Sequence, residues 1–382
     1  MTRLLRLPVT IFLFSALGVA AAVAQEDADR SGDAERHARL MRHVDSFDYF
    51  IAPGVDGAPR SGQAFQAAAS EPYDMLIADY YAGHNTIDPA GVRVFQESNS
   101  RRDRLAIAYI DAGEFMRCCS NIDLADQASW FDANGNLTAA APGWFGPQNG
   151  SFKGLWVVRD WDPAWQAYVL GEIDKMIDLG FDGVFLDVLY NDSVWGPKGS
   201  AAGKAGVPDY RESQKDFAKA IWRHVRDERH NSRFVIVTNY SSVLDDNVPA
   251  LTEGLHYSDA FMKESDYFDR DNKPAPWVGN TPIDQYFATR YAKFYAGMIK
   301  LHKVVLQQTY NLSFDNEALM LKESARYGYL LSNTSFPQDL IHIDGLPFCN
   351  REACWATNAA GQYVRYKRRD VDGVRTGDEG VR

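Results

Sequence analysis

Two acidic residues stand where a reaction would need them. Asp187 ends the run Gly183-Val184-Phe185-Leu186-Asp187, and Glu264 ends Ala260-Phe261-Met262-Lys263-Glu264. Taken singly, each reads as a strand-end cap or a surface acid. Taken together they suggest more, because the reactive face of a parallel α/β barrel lies at the C-terminal ends of its strands. Counting along the chain puts Asp187 on a fourth strand and Glu264 on a sixth. One neighbour then separates them, about 10 Å at roughly 4.8 Å per step, and two inward side chains narrow this to roughly 5 to 6 Å. At that distance one carboxylate can attack an acetal carbon while the other donates and recovers a proton. Burial and a nearby like charge would keep the acid protonated. This is the chemistry of glycoside cleavage with retention. The expected roles are Glu264 as nucleophile and Asp187 as acid/base, with the exchanged assignment open.

Other polar strand ends fall on the same predicted face. Asp79 and Tyr80 close the second strand, Tyr109, Asp111 and Glu114 follow the third, Asn239 and Tyr240 close the fifth, and Tyr310 closes the seventh. Such groups suit sugar hydroxyls. Gly113 breaks the alternation that would tell which way Glu114 faces. Five tryptophans lie in loops on this face: Trp144, Trp156 and Trp161 after strand three, Trp195 after strand four, and Trp277 after strand six. Their rings could stack on pyranoses or simply fasten long loops. Trp165 and Trp222 sit in helical patterns and read as core. Asp182, before Gly183, reads as a local cap of turn N–H groups.

The elements that position these groups alternate in type. Apolar, β-branched or aromatic runs cover Phe47–Ala52, Met75–Tyr81, Leu105–Ile110, Gly183–Leu189, Phe234–Tyr240, Ala260–Glu264, Val304–Tyr310 and Tyr327–Ser332. Between them lie amphipathic stretches at Pro163–Leu179, Tyr210–Arg229, Ile283–His302 and Asn316–Arg326. Strands alternating with helices imply parallel pairing, and eight units predict a single-domain α/β fold, a (β/α)8 TIM barrel, over 46–346. A doubly wound sheet would want a glycine-rich phosphate turn after an early strand, and none is present. Gly199-Ser200-Ala201-Ala202-Gly203-Lys204 has a spacer one residue short for a P-loop and reads as a flexible loop. Serine-hydrolase, zincin and EF-hand signatures are also missing from the sequence.

Composition bounds the rest. At 46% hydrophobic, 24% charged and 13% aromatic, the 382 residues can bury a full core. A net charge of −11 disfavours phosphate backbones and suits a neutral or cationic ligand. Residues 1–24 carry Arg3 and Arg6, then an apolar stretch ending Ala22-Val23-Ala24, the pattern of a secretory signal. The expected location is therefore secreted or periplasmic, with no membrane association after cleavage. Residues 25–45 read as a charged linker, with a helix near Arg36–Val44, and 347–382 as an extension with a frayed tail. In an oxidising compartment Cys349 and Cys354 could close a short loop, while Cys118 and Cys119 are adjacent and the pairing stays open. No cofactor or metal is expected.

The order Tyr109-Ile110-Asp111-Ala112-Gly113-Glu114, Trp156-Val157-Val158-Arg159-Asp160-Trp161, Gly180-Phe181-Asp182-Gly183-Val184-Phe185-Leu186-Asp187, Thr238-Asn239-Tyr240 and Glu264 is similar to the endo-α-1,4-polygalactosaminidase barrels, glycoside hydrolase family 114. The likeness spans about Phe47 to Ser335. It implies Asp187 and Glu264 as the catalytic pair and a partly deacetylated, amine-bearing galactosaminogalactan-type polymer as substrate. Asp160, in the second of these stretches, and Arg117, just beyond the first, join the expected binding residues. The chain departs from the family's usual pattern at Phe47-Asp48-Tyr49-Phe50-Ile51-Ala52 and at Asp111, where a Ser is usual. The rival reading from another class is a non-catalytic carbohydrate-binding barrel.

Overall fold

The structure is a computed structural model. It describes residues 36, 39–40, 44, 46–51, 65–66, 68–70, 73–79, 81–82, 85–86, 89–98, 104–117, 127–150, 154–189, 191–196, 209–239, 254–269, 271–290, 298, 303–310, 312–334, 348–349, 353–357, 363–368 and 376–381. The signal segment, Cys118, Cys119 and the loop at 199–204 lie outside these residues.

Eight strands run parallel in chain order: β1 (Phe47–Phe50), β2 (Met75–Asp79), β3 (Leu105–Asp111), β4 (Gly183–Asp187), β5 (Val235–Asn239), β6 (Ala260–Glu264), β7 (Val304–Tyr310) and β8 (Leu330–Thr334). Seven parallel ladders join neighbours, and β8 returns alongside β1 to bring the sheet round into a barrel. Helices α1 (Pro89–Glu97), α2 (Pro163–Asp178), α3 (Tyr210–Arg223), α4 (Ile283–Arg290) and α5 (Phe314–Tyr327) connect the strands.

Strand alternation sorts the core into two layers. Tyr49, Ile77, Ile107, Phe185, Val237, Met262 and Leu306 fill the barrel interior. Their neighbours Phe50, Ala78, Ala108, Val184, Ile236, Phe261 and Val305 face the helices. Gly183 is required at the tight β3–β5 approach: a Cβ there would lie 2.4 Å from Val235 O and 2.9 Å from Ile107 Cδ1.

The barrel floor is closed from the N-terminal side. Leu40 and Val44 join the interior cluster. Buried Arg36 donates from Nε to Asp259 Oδ1 at 2.8 Å and from Nη1 to Ser232 O at 2.6 Å. Arg226 reaches Asp259 Oδ2 at 3.1 Å, and both guanidiniums lie over the Trp222 ring. Of the stretch expected as a charged linker with a helix near Arg36–Val44, the described residues Arg36, Arg39, Leu40 and Val44 pack against the barrel. Asp182 is structural, as expected, but its reach is not local. It accepts from Ala106 N on β3 at 3.0 Å and from Gln96 Nε2 at 2.8 Å, and pairs with Arg39.

Strand boundaries match the sequence reading closely for β6 and β7 and shift at β8, which starts at Leu330 and not Tyr327. The cause is Gly328. Its φ of 78° caps α5 with an N–H to Ser324 O, so Tyr327 ends a helix. α3 runs into a π turn at His224–Glu228. Beyond the barrel, β9 (Phe348–Cys349), β10 (Ala353–Thr357), β11 (Tyr363–Arg368) and β12 (Thr376–Val381) form an antiparallel extension that joins β8 at Ser332↔Phe348. Of the tail expected to fray, the described residues Thr376–Val381 have strand backbone. Cys349 and Cys354 lie opposite each other across β9 and β10. Among the described residues, no helix is long and apolar enough to cross a membrane.

Gly183→Ala is expected to lower stability by about 1–3 kcal/mol through overpacking. Gly171→Ala, inside α2 with open space at its Cβ, should raise it by about 0.5–1 kcal/mol. Denaturant midpoints of the two variants would check the contrast.

Candidate active site

The inward parity that fills the barrel with apolar groups turns polar at the C-terminal end of nearly every strand. Asp79, Asp111, Asp187, Asn239, Glu264 and Tyr310 are the last residues of β2 to β7. Sequence alternation alone thus brings them to one mouth.

At its centre a single nitrogen joins the two acids. Asn239 Nδ2 donates to Asp187 Oδ1 at 2.8 Å and to Glu264 Oε1 at 2.6 Å. Those two lengths bound the separation of the oxygens at about 5.4 Å. A tyrosine holds the other oxygen of each acid: Tyr109 Oη donates to Asp187 Oδ2 and Tyr310 Oη to Glu264 Oε2, both at 2.6 Å. Val188 N adds a third donor to Asp187, at 2.8 Å. Beneath the pair lies an aromatic floor in which Tyr109 stacks on Phe185 at 5.8 Å and Tyr49 packs against both.

This floor removes water, and the titrations follow. Burial first, then the Asp187 charge, pushes Glu264 up to about 7 against the donors Tyr310 and Asn239. Asp187 is also raised by burial, opposed by Tyr109, Asn239 and Val188 N–H. Burial raises Asp111 well above the carboxylate range, helped by the charges of Glu114 and Asp187. Glu114 rises to about 7 through burial, with Asn149 opposing. The site therefore holds protons near neutrality that isolated carboxyls would lose.

Backbone strain marks both acids. The residue after each takes a left-handed conformation, Val188 at φ 48° and Ser265 at φ 47°, unusual for a non-glycine residue and above all for a β-branched one. Val188 is overlaid by the chain leaving β3: Ala112 N donates to Asp187 O at 2.9 Å, and a Cβ on Gly113 would meet Val188 O at 2.0 Å. Gly113 thus permits a close crossing. Beyond it Glu114–Met116 starts an antiparallel ribbon with Leu155–Val158 and Phe145–Gln148.

The structure brings Asp79, Tyr109, Asp111, Glu114, Asn239 and Tyr310 to the mouth with the two acids. Others of the expected binding residues sit elsewhere. Arg117 lies over the Phe131 ring, 4.8 Å from its centre. Asp160 is buried against α3, where Gln214 Nε2 donates to it and to Leu189 O; burial raises it to about 7. Trp195 is buried, its Nε1 bonded to Val158 O at 2.8 Å and its ring against Trp161. Trp144 and Trp156 belong to the aromatic core of the inserted ribbon, with Phe115, Phe131 and Phe145. Loop position left sugar platforms and loop fasteners both open; packing against neighbouring rings makes these three rings fasteners. Trp277 differs, being 62% exposed with Nε1 held by Asp266 O at 3.0 Å. Tyr80 and Tyr240 lie outside the described residues. Two site residues escaped the sequence reading. Tyr49 has the inward parity of β1 that could have found it, whereas Asn149, which donates to Glu114 Oε1 at 2.8 Å, has no local signal. Among the described residues, no group of three or more His, Cys, Asp or Glu is placed to hold a metal ion.

No family profile matches the chain. An uncharacterized protein of Deinococcus radiodurans is 28% identical over 123 residues, 32% of this chain and 35% of that one. The protein MJ1477 of Methanocaldococcus jannaschii is 25% identical over 150 residues, 39% of this chain and 38% of its own length. The matched part is thus well under half of these relatives. Among solved structures, the glycoside hydrolase domain of PelA from Pseudomonas aeruginosa aligns with a TM-score of 0.49 at 16% identity, covering 78% of this chain and 97% of that domain. Aspergillus fumigatus Ega3 in complex with galactosamine aligns at 0.46 and 12%, covering 76% and 92%.

Because the Tyr310 hydroxyl holds the Glu264 titration down, Tyr310→Phe should move it upward from about pH 7. Carbon NMR of the labelled Glu264 carboxyl, titrated in both proteins, would check the midpoint and the sign.

Proposed function

We propose that this chain is an exported glycoside hydrolase that cuts α-linkages within an amino-sugar polymer and retains anomeric configuration. The observation that carries the reading is the Asn239 amide, which holds Asp187 and Glu264 with facing oxygens within about 5.4 Å of each other, the spacing of a retaining pair. The assignment of roles follows from their partners. Asp187 accepts three donors, which favour the anion, so it is the nucleophile. Glu264, raised to about 7, is the acid/base. This exchanges the roles expected from sequence.

In the first step an Asp187 oxygen bonds to the anomeric carbon as the glycosidic C–O bond breaks, and the Glu264 proton passes to the leaving oxygen. In the second, the Glu264 carboxylate takes a proton from water, whose oxygen displaces Asp187 from the same carbon. Tyr109 and Tyr310 orient the two carboxyls. The amino-sugar class rests on the family 114 resemblance and on charge: a chain of net charge −11 attracts a polycation and repels nucleic acid. Export rests on residues 1–24.

Asp187→Asn and Glu264→Gln should each lower turnover of an α-1,4-linked galactosamine polymer by about 10²–10⁴-fold or more, with melting temperature nearly unchanged. Proton NMR should find the α-anomer formed first. Initial formation of the β-anomer would contradict the short carboxylate spacing, and binding without release of reducing ends would favour a non-catalytic barrel.

A further inference from the structure

Three tyrosines converge on the mouth, and the proposed reaction employs two of them. Tyr109 Oη is committed to Asp187 Oδ2 and Tyr310 Oη to Glu264 Oε2. The third, Tyr49, comes from β1. Its inward parity places it in the interior layer with Phe47, and its register partner on β2 is Ile77, two residues before Asp79. The ring belongs to the floor under the acids, its centroid 5.3 Å from Phe185 and 6.2 Å from Tyr109.

Tyr49 is only 1% exposed. Beyond the β1–β2 ladder, its one hydrogen bond among the described residues runs from its main-chain N–H to Asp48 Oδ1 at 2.9 Å. Oη has no partner among them. A buried phenol ordinarily finds one, so a hydroxyl left unbonded at the bottom of a mouth points to a group that arrives from outside. What acts on the hydroxyl shows where it lies. Burial first, then the charges of Asp187, Glu264, Tyr310 and Asp79, push Tyr49 well above the usual phenol range. These four are the last residues of β4, β6, β7 and β2, so Oη stands among strand ends on several sides of the mouth. A phenol that keeps its proton there is a donor, and its oxygen can also accept.

A second group beside the pair is also unanswered. Asn239 Nδ2 serves both carboxyls, while its Oδ1 is buried without a partner. A free donor from β1 and a free acceptor from β5 therefore accompany the acids. A pyranose carries hydroxyls that both donate and accept, and so answers the two together.

Resting on the hydrolase reading, we infer that Tyr49 is a further catalytic residue: its Oη donates to an oxygen of the sugar held between Asp187 and Glu264, and Asn239 Oδ1 accepts from a hydroxyl of the same sugar. Both bonds form only when substrate is seated. The strand that carries Tyr49 is also where the chain departs from the family 114 pattern, so the contact belongs to this sequence. Because Oη has no partner to lose, Tyr49→Phe keeps the ring contacts with Phe185 and Tyr109 and removes only an unsatisfied hydroxyl. Stability should therefore hold or rise while binding falls. A tyrosine that served the floor through its hydroxyl would do the reverse.

The test is calorimetry on the purified protein carrying Glu264→Gln, titrated with an α-1,4-linked galactosamine oligosaccharide, with and without Tyr49→Phe. The added change should weaken binding by about 3- to 10-fold, as expected for one hydrogen bond, with a melting temperature no lower. With Glu264 intact, Tyr49→Phe should lower kcat/KM by about 10- to 100-fold, since a bond to the reacting sugar strengthens in the transition state. The midpoints of the pH profile should stay in place, because Asp187 and Glu264 keep their own tyrosines. Equal binding by the two proteins, or a loss accompanied by a lower melting temperature or failure to fold, overturns the inference. A displaced midpoint with unaltered binding does so too, making Tyr49 a positioning group. Reducing ends released by the unsubstituted protein separate the two readings. Binding weakened by Tyr49→Phe without any cleavage sinks the hydrolase and leaves the contact; cleavage indifferent to Tyr49→Phe does the reverse, and neither binding nor cleavage overturns both.

Discussion

The site depends on one neutral nitrogen placed between two acids. Without a donor there, two half-buried carboxyls this close would repel whenever both ionised, and they would separate or share a proton. With Asn239 Nδ2 between them, both oxygens are held facing the same space. An arginine or lysine in that position would lower both titrations and leave no proton to donate. A neutral amide spaces the carboxyls while burial keeps one of them protonated. The contributing strands β4, β5 and β6 are consecutive neighbours in the sheet, so the spacing is set by hydrogen-bonded ladders and not by loops.

Holding this arrangement has a local energetic cost. Val188 and Ser265 adopt conformations worth about 1–3 kcal/mol of strain each, and four carboxyls sit buried or half-buried. The compensation is elsewhere in the barrel: an interior layer of fully buried Met75, Ile77, Leu105, Ile107, Phe185, Val235 and Met262, and a floor sealed by Leu40 and the Arg36–Asp259–Arg226 group. The end of the barrel that carries little chemistry supports the end that is strained.

Much of this was legible in the sequence because strand alternation is a strong signal. Short apolar runs ending in Asp187, Asn239, Glu264 and Tyr310 located four strands and the residues that meet at their ends. What escaped depends on contacts distant in sequence or on single glycines. Gly328 shifted the start of β8 by capping a helix, which periodicity through Tyr327 does not reveal. Asp182 satisfies an N–H on another strand, not in its own turn. Exposure cannot be read from loop position: Trp144 and Trp156 pack into the aromatic core of the ribbon, and Trp195 packs against Trp161. Arg36 and Leu40 sit in a stretch whose charge suggested a linker, and only the barrel floor gives them a place.

The ribbon inserted between β3 and β4 draws its aromatic core from Phe115, Trp130, Phe131, Trp144 and Phe145 and merges with the outer layer through the Trp144–Trp165 contact. It shares none of these rings with the barrel interior. Glu114 and Asn149 therefore stand on a ribbon whose rings are shared with the outer layer of the barrel and not with its interior. A change of ring in the ribbon would thus be felt first in the layer between strands and helices, and only through it by the staves that carry Asp187 and Glu264.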